Sequence, residues 1–343
     1  MRDHATLAAG LEGKRVPFQS IPVVELAPLL AETDKAAVAE AVGRACREVG
    51  FFYIAGHGVP PALVTRAFAE VRRFFALPDE RKMAVHMRGS PCHRGYYPLF
   101  EENTDPDLTA DLKEGFDIAL ELGPDDPDVI AGKPLHGPNQ WPEDLPGFRE
   151  TLEDYYAAMR HLARRLLRAF ALGLDIPEDF FEDKVDKPLA QLRTLHYPPQ
   201  AGHIEAETLG CGAHTDYGCL TILAQDDVGG LQLCNSAGEW IAAPPIPGTF
   251  VVNIGDQMAH WTNGLFAATR HRVINTSGRE RYSLPFFFDP NYDTVVECLE
   301  TCRDADHPPK YPPVKAGEYL VERFNATYNY RKGCVRRRDP AVG

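Results

Sequence analysis

The stretch Gly212-Ala213-His214-Thr215-Asp216-Tyr217, followed some fifty-five residues later by His271-Arg272-Val273, decides what this chain of 343 residues is expected to be. Successive side chains of a β-strand alternate between its faces, so we expect His214 and Asp216 to project to one side. A histidine from a distant strand would complete a triangle of two imidazoles and one carboxylate. That ligand set leaves coordination positions open and is typical of non-haem Fe(II) sites.

A second pattern follows His271 and predicts a binding site for an anion. The residues around His271 are predicted to form a strand, Thr276-Ser277-Gly278 a turn, and residues 281–288 a returning strand. In such a hairpin Ser283 would lie opposite His271, and Arg281 would share its face. A guanidinium beside a hydroxyl suits a carboxylate, which arginine can bind through two parallel hydrogen bonds. The pattern therefore predicts an anionic, metal-chelating co-substrate next to the metal.

Further segments, in order along the chain, resemble those of a known family. They are Ile21–Leu26, Gly50–Val59, Tyr197-Pro198-Pro199, Val228–Gln232 and Arg281-Tyr282-Ser283. Together with the metal-ligand residues, they resemble the iron- and 2-oxoglutarate-dependent dioxygenases of the isopenicillin N synthase-like family. The resemblance implies a mainly β fold with flanking helices and a double-stranded β-helix (jelly-roll) core. It also implies Fe(II), 2-oxoglutarate as co-substrate, and O2.

The same resemblance implies roles for particular residues. The expected iron ligands are His214, Asp216 and His271. The residues expected to bind 2-oxoglutarate are Arg281, Ser283, Tyr197 and Arg193. Arg193 is included because this chain has Leu195 where many family members have asparagine, and a charge on the same strand face could substitute. The implied reaction couples decarboxylation of 2-oxoglutarate to succinate with hydroxylation, desaturation or cyclisation of a small organic molecule, with a role in secondary metabolism.

The candidates for substrate contact come mainly from the irregular stretch 86–145, which is rich in Pro, Gly and Asp. Loops this long within a compact domain are often functional, and in the resembling family this region covers the mouth of the site. The candidates are Tyr96, Glu101, Glu114, Phe116 and, directly after a ligand, Tyr217. The alternative for each residue of the stretch is that it packs the loop against the barrel.

Composition restricts the class of partner. The net charge of −13 argues against nucleic acid, because phosphate binding needs a basic surface. The eight cysteines show no paired framework, and no segment has the pattern of a secretory signal or a membrane span. We therefore expect a cytoplasmic protein with reduced thiols, for which a monomer is plausible.

We expect a single oxygenase domain in three parts. Residues 1–185 would form an N-terminal region of helices and strands, 186–295 the jelly-roll core with the site, and 296–343 a C-terminal helix and tail. Two alternatives stay open. One is an iron oxidase of the isopenicillin N synthase type, in which the Arg-x-Ser pair holds the substrate's own carboxylate. The other is an inactive small-molecule binder on the same fold.

Overall fold

The structure, a computed structural model, describes residues 20–105, 110–200 and 209–331. Within these ranges the helices are α1 (Ala27–Leu30), α2 (Lys35–Glu48), α3 (Pro61–Phe75), α4 (Asp79–Met83), α5 (Pro127–Ile130), α6 (Phe148–Gly173), α7 (Asp256–Trp261) and α8 (Ala316–Thr327). Short 3-10 helices occur at Met87–Gly89, Glu182–Lys184, Glu300–Cys302 and Asn329–Arg331. No helix in the described part of the chain is long and apolar enough to cross a lipid bilayer.

The strands of the same residues are β1 (Val23–Glu25), β2 (Phe51–Ala55), β3 (Gly95–Tyr97), β4 (Glu114–Ala119), β5 (Gln191–Tyr197), β6 (Cys211–His214), β7 (Leu220–Gln225), β8 (Leu231–Cys234), β9 (Trp240–Ala242), β10 (Phe250–Ile254), β11 (His271–Val273), β12 (Arg281–Phe288), β13 (Val295–Val296) and β14 (Val314–Lys315). The larger sheet has the order β1-β2-β10-β7-β12-β5-β4-β3 and the smaller sheet β6-β11-β8-β9, while β13 pairs with β14. The mainly antiparallel pairing and the flanking helices confirm the predicted jelly-roll class.

The long helix α6 covers the outer face of the larger sheet. Its buried residues include Leu152, Met159, Leu166 and Phe170, which recur at helical spacing and pack into one apolar cluster. The same helix packs against α2 and α3. Helices cover one face of the larger sheet. Its other face therefore forms a wall of the space between the two sheets.

Alternation along the central strands separates the two faces of the larger sheet. On β12, Leu284 and Phe286 belong to the cluster under α6, whereas Arg281 and Ser283 line a cavity on the opposite face. The facing strand β11 of the smaller sheet contributes His271 to the same cavity. The cavity therefore lies between the two sheets, and alternate residues of each strand reach it.

The predicted hairpin through Thr276-Ser277-Gly278 is wrong. Strand β11 pairs with β6 and β8 in the smaller sheet, whereas β12 pairs with β5 and β7 in the larger one. The segment between them crosses from one sheet to the other. The side chain of Asn275 stabilises this crossing: it donates a hydrogen bond to the carbonyl oxygen of Arg279 at 2.7 Å and accepts one from the Ser277 hydroxyl at 2.7 Å. The turn at Gly229-Gly230 likewise connects strands of different sheets, β7 and β8.

Residues from the N-terminal part complete the larger sheet. Strand β2 pairs with β10, and β4 pairs with β5, so 1–185 and 186–295 share one sheet. Helix α8 falls within the segment Ala316–Arg331 that the sequence predicts to be helical, and its residues Leu320 and Phe324 line the cavity. The exact boundaries between the three parts stay a prediction.

Candidate active site

The predicted metal ligands come together at one end of the cavity. His214 is the last residue of β6 and lies directly opposite His271 of β11 in the register of the smaller sheet. Asp216 lies just beyond the end of β6, and its Oδ1 is 3.6 Å from Nε2 of each histidine. The described residues contain no other group of three or more His, Cys, Asp and Glu side chains arranged to hold a metal ion.

Hydrogen bonds orient each of these side chains toward a common point. Nδ1 of His214 lies 2.8 Å from the carbonyl oxygen of Gly212, and Nδ1 of His271 lies 3.2 Å from that of Thr269. Each Nδ1 therefore carries a proton, and Nε2, once free of any proton of its own, is the nitrogen left to bind a metal. Such partners of metal-bound histidines fix both the tautomer and the orientation of the ring.

The carboxylate is oriented in the same way. Oδ2 of Asp216 accepts hydrogen bonds from Oγ1 of Thr221 at 2.5 Å and from Nδ2 of Asn253 at 2.6 Å, so Oδ1 is the oxygen left facing the histidines. Burial raises the pKa of Asp216, but His271, His214 and Asn253 outweigh it and hold that pKa well below its usual range. The carboxylate is therefore ionised, and one of its oxygens is directed at the two histidines. Sequence reasoning missed Thr221 and Asn253 because their strands join Asp216 only in the folded sheet.

The predicted anion site lies on the neighbouring strands. Arg281 is 1 % exposed, and its guanidinium donates to the carbonyl oxygen of Gly229 at 2.5 Å, to Ser283 at 3.4 Å and to Gln225 at 3.3 Å. Tyr197 packs on the guanidinium, 4.6 Å from ring centre to Cζ. All of these contacts are with neutral groups, and no carboxylate of the described residues lies within 4.0 Å of Arg281.

A buried guanidinium without a counter-ion is costly, because its charge has lost its hydration without gaining an opposite charge. The cavity supplies space for an anion next to Arg281, Ser283 and Tyr197, all of which line it. Burial raises the pKa of Tyr197, so its hydroxyl keeps its proton. The residues present therefore fit a carboxylate at this end of the cavity.

Arg193 also lines the cavity, but its charge is already matched. Its guanidinium bonds Asp117 at 3.1 Å and Glu102 at 3.2 Å, and it donates to the Tyr328 hydroxyl. Glu102 in turn accepts from Lys113 at 3.0 Å. This network does not favour the expected contact between Arg193 and 2-oxoglutarate, which stays a prediction.

Most of the loop residues expected to touch substrate lie elsewhere. Tyr96 and Glu114 bond each other at 2.6 Å, and Phe116 packs in the cluster under α6. Glu101 accepts from the backbone N–H of Tyr330 at 2.7 Å. None of these four lines the cavity, so the structure does not support their predicted contact with substrate. Tyr217 does line it, as expected.

Several cavity residues were not predicted from the sequence. They are Phe51, Glu102, Thr104, Lys113, Gln191, Asn253, Phe287, Asp289, Leu320 and Phe324. One signal could have found part of this set. The alternation that places Arg281 and Ser283 on one face continues through Phe287 to Asp289, and the alternation that places Arg193 on the same face as Tyr197 extends back to Gln191.

Two models of known families match the chain. The model described as "non-haem dioxygenase in morphine synthesis N-terminal" matches residues 21–144, and the one described as "2OG-Fe(II) oxygenase superfamily" matches residues 188–290. A 2-oxoglutarate-Fe(II) type oxidoreductase, hxnY of Emericella nidulans, is 42 % identical over 90 % of both chains.

The chain belongs to the 2-oxoglutarate- and Fe(II)-dependent oxygenase superfamily.

Other members of the superfamily have named activities or bound ligands. The homoarginine-6-hydroxylase 2-ODD-C23 of Glycine max is 41 % identical over 83 % of this chain and 89 % of its own. A crystal structure of a full-length Neurospora crassa protein, in complex with alpha-KG and thymine, superposes with a TM-score of 0.80 at 32 % identity, covering 89 % of this chain and 96 % of that one. As a 2-oxoglutarate- and Fe(II)-dependent oxygenase, the protein couples decarboxylation of 2-oxoglutarate to O2-dependent oxidation of a small organic molecule.

Proposed function

We propose that His214, Asp216 and His271 hold the Fe(II) of this oxygenase, and that 2-oxoglutarate places its far carboxylate on Arg281 and Ser283, beside Tyr197. One observation carries the second assignment. Arg281 is a buried cation on the cavity wall without a carboxylate partner among the described residues, and it lies on the strand that faces the ligand histidines. A dicarboxylate that also chelates the metal satisfies both features.

The bound iron, with 2-oxoglutarate and O2, supplies the two-electron oxidation of a substrate bond while 2-oxoglutarate leaves as succinate and CO2. The protein's own part is to bind and to orient. Thr221 and Asn253 hold one oxygen of Asp216 so that the other faces the metal position. Phe51 packs edge-on against His271, with ring centres 5.2 Å apart, and shields that side of the site from water.

The remaining part of the cavity is proposed to take the primary substrate. It is walled by Tyr217, Phe287, Leu320 and Phe324, with Glu102 among the polar groups. We propose a cytoplasmic enzyme that hydroxylates a small molecule and does not act on nucleic acid, in keeping with its net charge of −13 and with the hydroxylase activity named for the soybean relative.

The test is an anaerobic titration of the protein with Fe(II) and then 2-oxoglutarate, followed by the visible charge-transfer band of the chelate. The band should form with the wild type and be absent from His214→Ala. His161→Ala, which removes an exposed histidine of α6, is the matched control and should keep the band. A full band in His214→Ala would contradict the ligand assignment.

Release of succinate then separates the proposed reaction from its alternatives. With O2 and a substrate, the wild type should release one succinate for each molecule oxidised. An enzyme that oxidises its substrate without consuming 2-oxoglutarate would be an oxidase of the isopenicillin N synthase type. A protein that fails to bind Fe(II) would be a binder without catalysis.

A further inference from the structure

Asp289 is a cavity residue that the assignments above leave without a role. It directly follows β12 and continues the alternation Arg281, Ser283, Pro285, Phe287 on the inner face of the larger sheet. Arg281 lies at one end of this row and Asp289 at the other. The row therefore carries a guanidinium at the proposed 2-oxoglutarate end of the strand and a carboxyl group at the opposite end.

The carboxylate of Asp289 is buried and lacks a cation. It is 4 % exposed, and its Oδ1 accepts from the backbone N–H of Cys219 at 3.0 Å. No Lys, Arg or His of the described residues lies within 4.0 Å of it, and Oδ2 accepts no hydrogen bond from them. Burial and the nearby charge of Asp216 raise the pKa of Asp289 to about 7, so a cation bound beside it would favour its ionised form.

The backbone is shaped around this carboxylate. A Cβ atom at Gly218 would lie 1.3 Å from Oδ1 of Asp289, so only glycine leaves room for it there. Gly218 lies two residues after the proposed ligand Asp216. The Asp289 carboxylate is thus packed beside the metal end of the cavity, where a substrate has to be held to be oxidised.

Gln191 offers a second acceptor on the adjacent strand. It pairs in register with Phe287, two residues before Asp289. Its Nε2 donates to Asp117 at 2.6 Å, which turns Oε1 the other way, and Oε1 accepts no hydrogen bond from the described residues. The side chain is 6 % exposed and lines the cavity. A ligand with several N–H donors could use both oxygens.

The other charges of this region are already balanced among themselves. Arg193 lies between Asp117 and Glu102, and Lys113 between Glu102 and Asp111. None of these groups reaches Asp289 as an ion pair. The missing partner of Asp289 therefore has to come from outside the described chain.

We propose that Asp289 binds a protonated nitrogen of the primary substrate, with Oε1 of Gln191 accepting a second N–H, so that the substrate class is a small organic cation bearing a guanidinium, amidinium or ammonium group. This proposal rests on the proposed function, because it takes the metal and 2-oxoglutarate ends of the cavity as assigned. It assigns Asp289 to substrate binding and not to the metal or to 2-oxoglutarate.

The test compares cations with neutral isosteres on the anaerobic Fe(II)–2-oxoglutarate complex of the full chain. One pair is n-butylguanidine, a cation at neutral pH, and the neutral n-butylurea, and the second is n-butylamine, also a cation at neutral pH, and the neutral n-butanol. Binding is measured by calorimetry and by perturbation of the charge-transfer band. In the wild type at least one cation should bind about tenfold or more tightly than its isostere, as expected for a buried charge pair.

Asp289→Asn should abolish this preference while the band with 2-oxoglutarate still forms. Asp227→Asn, an exposed aspartate that pairs with Arg279 on the surface, is the matched control and should keep the preference. If the wild type forms the band but binds neither cation more tightly than its isostere, the proposal is overturned. It is also overturned if Asp289→Asn keeps the preference.

The two proposals fail in different ways. Absence of the band in the wild type contradicts the proposed function, whereas a normal band without cation preference contradicts only the role of Asp289. Should Asp289→Asn fail to fold, Gln191→Leu takes its place: loss of the second proposed acceptor should weaken binding of the preferred cation while the band still forms, and unchanged cation binding would overturn the proposed site.

Discussion

Two buried arginines on adjacent strands of the larger sheet line the same cavity and differ in their partners. Arg193 on β5 is bonded to two carboxylates, Asp117 and Glu102. Arg281 on β12 is bonded only to neutral groups of the described chain, with Ser283 among them. Both guanidiniums are withdrawn from water, and among the described residues only Arg193 has carboxylates that compensate its charge.

The difference separates a structural charge from a binding charge. A buried ion pair whose partners come from the chain contributes to the specificity of the fold, and removing one partner is strongly destabilising. A buried charge without a partner lowers the stability of the ligand-free protein and is compensated when a ligand of opposite charge binds. By this criterion we propose that Arg281 and Asp289 serve ligand binding, while Arg193 stabilises the fold.

The first way to break this comparison is to remove each arginine and measure the unfolding of the ligand-free protein in urea. Arg193→Ala leaves Asp117 and Glu102 without their shared cation and should lower the free energy of unfolding by about 3–5 kcal/mol. Arg281→Ala removes an uncompensated charge and should lower it by much less, about 1 kcal/mol. Equal losses in the two variants would mean that the neutral contacts of Arg281 stabilise the fold as much as an ion pair does.

The second prediction concerns the co-substrate. Arg281→Ala should raise the 2-oxoglutarate concentration that gives half of the charge-transfer band by about 100-fold, because one partner of a buried charge pair is lost. Fe(II) binding, followed by calorimetry without 2-oxoglutarate, should be unchanged. An unaltered affinity for 2-oxoglutarate would contradict the assignment of Arg281 to the co-substrate site.

The sequence predicts the ends of this cavity better than its walls. Residues two apart on one strand share a face in any sheet, so the pairing of Arg281 with Ser283 does not depend on which strands are neighbours. The predicted hairpin fails because a short turn looks the same in sequence whether it joins neighbouring strands or crosses between sheets. His271 and Arg281 reach the same cavity from opposite walls.

The substrate candidates Tyr96 and Phe116 of β3 and β4 lie on the face of the sheet that does not line the cavity. Tyr96 and Phe116 point to the helical layer, whereas their chain neighbours Tyr97 and Asp117 point inward, where both meet Arg193. A shift of one residue reverses the face. Which face is inner depends on where α6 packs, and that long-range contact cannot be read from the strand itself.

The third prediction concerns Glu102, a carboxylate partner of Arg193, and the pH dependence of the stability that this pair provides. Burial raises its pKa, but Arg193 and Lys113 outweigh burial and hold it at about 2, against an ordinary value of 4.5. A carboxylate with a lowered folded-state pKa stabilises above its unfolded pKa and loses that stabilisation as the pH falls toward the folded value. The contribution at neutral pH is at most about 3 kcal/mol.

Wild type and Glu102→Gln should therefore differ most in unfolding free energy near pH 7 and progressively less toward about pH 3. Urea unfolding at a series of pH values measures this difference. Glu300→Gln, which changes a side chain that is 90 % exposed, is the control and should differ little from wild type throughout. A difference for Glu102→Gln that stays constant across this range would show that the carboxylate charge does not stabilise the network.

The smallest expected effect comes from giving Arg281 the partner it lacks. Gln225 accepts from Arg281 at 3.3 Å, so Gln225→Glu would place a carboxylate at that position and make Arg281 resemble Arg193. The new ion pair competes with the co-substrate and should lower the affinity for 2-oxoglutarate by about tenfold. Gln225→Ala removes one hydrogen bond to Arg281 and should lower that affinity by about fivefold. Gln232→Ala, which breaks a glutamine–arginine bond to Arg272 outside the cavity, should leave the affinity unchanged. Gln225→Glu should block the site only if the new carboxylate pairs with Arg281. If this variant bound 2-oxoglutarate as tightly as the wild type does, a carboxylate next to Arg281 would not compete with the co-substrate. The lack of a carboxylate partner among the described residues would then not explain why Arg281 binds 2-oxoglutarate.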